Sequence, residues 1–348
     1  LFRLELNKLI KNKNGIIALA IFIVLSLVMV FLNPQLESER SYLEQENYGF
    51  VDMREGSVLA SENFEIKINE LEQLANQSAN DSSSKKMRNM AQEKLDKVKV
   101  MNYKDVDFWK VYNHKVAHPL ALIGLLSIIA MLICNIYSDE VVSSMDTLIL
   151  TSKNKYKALS SKGMLAIVVP IVAYVGFLTI TFIETFLKYG RPINGDLQAF
   201  RIVDNFMMLE GSFTIIQYVA LKIVFVLVLL LSLSIIGAII SFKTESSMAS
   251  ISIFGVYIIL GKILVFLIKP ISKFLIEIGG ADIISILNFG NYPDLIFQGN
   301  NLIGMYLGDI SVFGYDISLI KAILAILVMI TIASIIYMFN SFKRIESK

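Results

Sequence analysis

The sequence predicts an all-α integral membrane protein. It has six transmembrane helices, an N-terminal interfacial helix, an extracellular helical hairpin after the first span, and re-entrant half-helices before the last span. Three observations predict this. The 348-residue chain is 55% hydrophobic and only 18% charged, against about 25% charged in a soluble globular chain. Six apolar runs are long enough to cross a hydrocarbon core of about 30 Å, which takes roughly 20 residues. The charge is also segregated: 27 of the 62 Lys, Arg, Asp and Glu lie within 34–117, so the rest of the chain is more apolar than its average.

The spans fall at 15–33, 118–136, 164–187, 214–240, 247–268 and 317–339. They must be helices, because lipid offers backbone groups no partner and the runs lack strand alternation. The chain divides into three parts: residues 1–33 with the interfacial helix and first span, residues 34–117 outside the membrane, and residues 118–348 with the other five spans. The first run lacks a small-residue cleavage site, so it reads as a span and not as a cleaved leader. Cys134 is the one cysteine, so no intrachain disulfide forms. Short inner segments carry twelve Lys and Arg against five in the two shorter outer loops. That bias puts both termini in the cytosol of a plasma membrane.

In "LFRLELNKLIKNKNG", Phe2, Leu6, Leu9 and Ile10 share a face, which predicts an amphipathic helix in the inner interface. In 34–117, Phe64, Ile68, Leu71 and Ala75 recur at helical spacing, as do Met87, Ala91, Leu95 and Val98. The polar "NQSANDSSS" between them marks the turn of a hairpin that packs on a neighbour or moves. Tyr103, Phe108, Trp109 and Tyr112 suit the headgroup layer before the second span. Between the fifth and sixth spans, Ile271, Phe274, Leu275 and Ile278 share a face. A Gly279–Gly280 break and a second short apolar piece follow, so two half-helices dip into the outer leaflet.

The segment 138–152 is the informative one. Val141, Val142, Met145, Leu148 and Ile149 form one apolar stripe on a two-turn helix. Ser138 can cap it. Asp139 and Glu140 lie at its positive end, and Lys153, Lys155 and Lys157 follow its negative end. Such a helix either rests on lipid or docks on a partner.

This order of elements resembles the type-2 permeases of ATP-binding-cassette transporters. Glu140 matches that family's acidic position, Thr147–Leu148 its Thr-Leu pair, Lys153 or Lys155 its basic position, and Lys162–Gly163 the lead into the third span. "NFGNYP" at 288–293 resembles the stretch before its last span. Asp146 stands where the family often has Gly, and no Pro follows "LILTS". The resemblance implies that Glu140, Val141, Met145, Leu148, Ile149 and Lys153 couple to a separate ATP-binding subunit. It also implies a second permease chain, identical or similar. The expected activity is export of an amphipathic substrate, such as an antimicrobial or toxin-like peptide or a lipid, from a bacterial cell. The alternatives are a non-transporting sensing or immunity module worked by an ATPase, and an ion-coupled carrier.

No G-x-x-x-x-G-K-[ST] loop occurs, so ATP and magnesium belong on the partner and no cofactor is expected on this chain. His114 and His118 share a face but lack a third ligand, so no metal site is expected. A net charge of +2 gives no reason to expect nucleic acid. Lysines and carboxylates in spans are costly and call for partners or a pathway. Glu184, Lys222 and Lys262 are the pathway candidates. Glu184 and Lys321 lie near span ends, where they can reach the interface.

Overall fold

Among the described residues, six helices are long and apolar enough to cross a membrane: Lys13–Phe31, Asp107–Leu132, Lys155–Tyr189, Ile215–Lys243, Ser247–Glu277 and Leu319–Ser341. They are spans one to six below. The computed structural model describes residues 2–39, 54–78, 82–98, 100, 102–312 and 315–342. The spans alternate in direction. The helix Phe2–Lys11 and Phe342 therefore share one end of the bundle, the terminal end. The helices Gly56–Asn76 and Ser82–Asp96 stand at the other, the hairpin end.

Local chemistry sets the span boundaries. Asn12 separates the first helix from span one, and its side chain accepts the Lys13 N–H. Thr214 and Gln217 form a reciprocal capping box at the start of span four. The Ser246 side chain accepts the Ala249 N–H at the start of span five. Span three starts at Lys155, nine residues before the apolar run at 164, and ends at Gly190, whose φ of 81° breaks the helix. Leu122, Leu125, Ile129, Leu165, Phe177, Leu229, Leu233 and Ile235 are buried between the spans. Spans one and two meet at Gly124, where a Cβ would come within 2.8 Å of Leu25 Cδ2.

Pro170 lies inside span three and is buried. It has no N–H to give the carbonyl four residues back, which is that of Ala166. Ser234 of span four supplies the missing donor, its hydroxyl reaching the Ala166 oxygen at 2.7 Å. We expect Ser234→Ala to orphan this buried carbonyl and cost about 1–3 kcal/mol. A lower thermal midpoint in detergent, restored by Ser234→Thr, is the result to look for. An unchanged midpoint in Ser234→Ala would refute the assignment.

The structure corrects several expectations. The helical class stands, with the chain mostly helical at 77%, and strands Asp309–Val312 and Tyr315–Ser318 add an antiparallel pair just before span six that was not expected. Ile317, placed in the span by hydropathy, belongs to the second strand. The first proposed half-helix is the short helix Ser272–Glu277, set off from Ser247–Ile268 by a 3-10 turn at Lys269–Ile271 and continuing span five. Gly279, with φ 84°, then turns the chain. Helices Ala281–Gly290, Tyr292–Phe297 and Gly299–Leu302 follow it, the first two packing back on span five. The aromatic segment is the top of span two. Phe108 and Tyr112 are buried and meet Phe182 edge-on, and Trp109 Nε1 donates to the Ile193 oxygen at 2.8 Å. Ile10 is exposed, whereas Phe2, Leu6 and Leu9 pack against the core.

The helices Gly56–Asn76 and Ser82–Asp96 pack on each other, with Phe64, Leu71, Ala75 and Ala91 buried and Ile68, Met87, Leu95 and Val98 half-buried; residues 79–81 of the expected turn lie outside the described residues. The pair packs on its own chain. Lys94 Nζ donates to the Phe206 and Met207 oxygens, both at 3.0 Å. Burial pulls the Lys94 ammonium down to about 8, with Glu93 opposing. Lys67 Nζ meets Glu37 Oε1 at 2.6 Å and the Arg201 oxygen at 3.3 Å. Lys110 reaches the same Glu37 oxygen at 2.9 Å. Burial pushes the Glu37 carboxyl up, but the two ammoniums outweigh it and hold it below the usual range.

Candidate functional site

The segment between spans two and three is two helices, Ser138–Val142 and Asp146–Thr151, not one. Ser144 sits between them at φ 54°. The Met145 N–H reaches back to the Glu140 oxygen at 2.9 Å, and the Ser143 hydroxyl donates to the Asp139 oxygen at 2.9 Å. A serine whose hydroxyl bonds its own backbone, as Ser143 does, competes with the helical ladder, and Ser144 follows it in the left-handed region.

The break divides the predicted stripe. Val142, Met145 and Leu148 are 65%, 48% and 69% exposed. Val141 and Ile149 are half-buried, and Leu150, beside them, is buried. The apolar tip is thus three residues wide, not five. Lys153 is exposed just after it. Ser138 does not cap the segment. Its hydroxyl donates to the Cys134 oxygen at 3.2 Å. Ser241, at the end of span four, takes the capping role: its Oγ accepts the N–H groups of Tyr137 and Ser138 at 3.0 and 3.2 Å.

Glu140 is the main correction. The resemblance gave it to a partner, but it is 2% exposed and points into its own protein. Its Oε1 meets Lys162 Nζ at 2.8 Å and Lys8 Nζ at 2.5 Å. Lys162, 1% exposed, also donates to Glu5 Oε2 at 2.8 Å and to the Ile136 oxygen at 3.2 Å. Asp139 accepts from Asn14 at 3.3 Å, from Asn12 at 3.5 Å and from the Ser247 hydroxyl. These bonds fasten the first half of the segment to the helix Phe2–Lys11, the start of span one, span three, and the joint between spans four and five. The second half carries the exposed apolar tip.

The pathway candidates do not converge. Glu184 pairs with Lys115 of span two. Lys262 pairs with Asp294. Lys222 donates to Asn300 Oδ1 at 3.1 Å. Lys321 does not reach for an interface alone, since Glu210 lies 2.6 Å from it. Nothing in the sequence marked Lys8, Lys162, Ser241 and Ser247 as the residues that hold segment 138–152. Lys8 and Ser241 lie more than a hundred residues from their partners in sequence, and no local spacing signals such a pairing. With the site described, comparison with known proteins adds no relative: no family model, curated protein or solved structure matches the chain.

Proposed function

We propose that this chain is the permease subunit of an ATP-binding-cassette exporter, worked by a separate ATPase through the segment 138–152. The observation that carries the reading is the pairing of an exposed apolar tip, Val142, Met145 and Leu148, with a buried ionic mount centred on Glu140. An apolar tip on a mobile loop would absorb a push. A tip mounted on Glu140, Lys162, Ser241 and Ser247 delivers the push to the helix Phe2–Lys11 and to spans three, four and five. The coupling residues are therefore Val142, Met145 and Leu148, with Val141, Ile149 and Lys153 beside them and Glu140 as the internal anchor. The termini face the cytosol of a bacterial plasma membrane, where the ATPase waits.

A second permease chain completes the assembly. Within Ser247–Ile268 only Ser250 and Phe254 are buried by the chain itself, which leaves span five an apolar face for lipid or a second copy. The exported substrate is an amphipathic peptide or a lipid. Co-expression with a separate candidate ATP-binding subunit, followed by pull-down on the permease, is the test. We expect a particle with two permease chains and two ATPases, and ATP-dependent movement of an amphipathic peptide or lipid in inverted vesicles. A permease that purifies as a monomer without an ATPase would overturn the reading. A stable complex with no flux would leave the coupling in place and favour a sensing module.

A further inference from the structure

Lys222 is a buried lysine outside the mount of segment 138–152. It lies seven residues inside span four, roughly 10 Å from the hairpin end of that helix, and is 2% exposed. Other buried lysines in the described residues meet carboxylates: Lys67 and Lys110 meet Glu37, Lys115 meets Glu184, and Lys162 meets Glu5 and Glu140. Lys94 donates to two carbonyls. Among the described residues, Lys222 has no carboxylate at ion-pair distance. Its one hydrogen bond is to the neutral Asn300, with the Tyr218 ring centroid 4.8 Å away. An ammonium has three donors, and two are left over.

These donors border a cavity of about 260 Å³ between spans two and four and the loops that cover them at the hairpin end. His114, His118 and Asn113 also line it. Asn113 is 7% exposed, and its Oδ1 is buried with no partner. Asn300 is held in place by donating its Nδ2 to the His114 oxygen at 3.2 Å, which aims its own oxygen at Lys222. The site is therefore built: an oriented buried cation, an unpaired acceptor beside it, and space between them. A buried charge calls for an opposite charge with hydrogen bonds; Asp204 lines the same cavity, 3.5 Å from Lys110 Nζ, but is not at ion-pair distance from Lys222, whose hydrogen bond goes to the neutral Asn300.

We propose that this cavity binds a phosphoryl oxyanion, with Lys222 as its charge partner and Asn113 Oδ1 accepting from a hydroxyl or protonated oxygen of the same group. The chemistry is shared by free phosphate and by a phospholipid headgroup. Lysine gives a point charge with directed donors, which suits phosphate oxygens.

The test uses the full chain in neutral detergent without any ATPase, so its failure leaves the coupling proposal standing. Thermal unfolding and calorimetric titration are run with four probes: sodium phosphate, sodium chloride at matched ionic strength, short-chain phosphatidylglycerol, and short-chain phosphatidylcholine. We expect saturable stabilisation by phosphate, by phosphatidylglycerol, or by both. Phosphate alone identifies a free ion; phosphatidylglycerol alone identifies a headgroup. Lys222→Met weakens the binding at least about tenfold, the loss of one charged hydrogen bond. Asn300→Ala takes from the ammonium its protein acceptor, so the ligand-induced rise in midpoint grows. That increase is a response a merely structural Lys222 would not produce, and it stands even if Lys222→Met fails to fold. No saturable response in the wild type and Asn300→Ala, an equal response to chloride, or undiminished binding in a folded Lys222→Met would overturn the site.

Discussion

Glu140→Lys is expected to unfold the terminal end of the bundle, not to remove a contact with a partner. The substitution places a third ammonium against Lys8 and Lys162, which now lie 2.5 and 2.8 Å from the Glu140 carboxylate. Breaking a buried pair by removing one partner costs about 3–5 kcal/mol, a large share of the stability of most domains. Inverting the charge costs more than neutralising it. Glu140→Gln keeps the size and one acceptor oxygen, and Lys162 retains Glu5. Gln is therefore expected to lose less than Lys. Glu140→Leu combined with Lys162→Met removes both buried charges and recovers part of the loss, because the groups left behind, Glu5 and Lys8, are opposite in sign and less buried. The measurements are membrane abundance and thermal midpoint for the three variants. If Glu140→Lys holds a wild-type midpoint, the buried mount is wrong. If it does so and also sheds the ATPase, Glu140 faces the partner after all.

The contrast between the two halves of segment 138–152 shows what a sequence can display. The six spans were legible because lipid imposes a length and forbids unpaired backbone, and both demands are written in consecutive residues. The extension of span three towards the terminal end was missed because "KYKALSSKG" is not apolar enough to be counted. Leu159 and Lys162 are nonetheless buried in it, and packing continues the helix. The break in segment 138–152 had a visible signal, Ser143 beside Ser144, outweighed by an uninterrupted apolar period. The ion pairs had none. Glu140 finds Lys162 22 residues away and Lys8 132 away. Glu184 and Lys115 are 69 apart, and Lys262 and Asp294 32 apart. Which charges neutralise each other depends on how helices pack, and helical periodicity carries no record of that. The same reasoning explains why Lys222 read as one of three pathway residues until Glu184 and Lys262 were seen to have partners of their own.

Met145→Glu is expected to abolish ATPase binding while leaving the permease folded. Met145 is 48% exposed at the joint between the two short helices, so in the free chain a glutamate there stays in water. The loss of stability is that of an ordinary surface change, within about 0.5 kcal/mol. Docked against an apolar groove, the same carboxylate loses its water and finds no cation. A buried unpaired charge costs roughly 3–5 kcal/mol, which is about a hundredfold to a few thousandfold in affinity at 1.4 kcal/mol per decade. Leu148→Glu, 69% exposed on the same tip, should act alike. Lys153→Ala changes one exposed charge and should weaken binding by no more than a few-fold. The competing idea, a tip resting on lipid, gives the opposite result. There the glutamate turns to the aqueous side, and the ATPase, touching something else, still co-purifies. Co-purification and ATP-dependent activity, each normalised to permease abundance, separate the two. Loss of both in Met145→Glu and Leu148→Glu at normal abundance places the ATPase on the tip formed by Val142, Met145 and Leu148. Retention in both removes segment 138–152 from the coupling route and leaves its mount a structural tie.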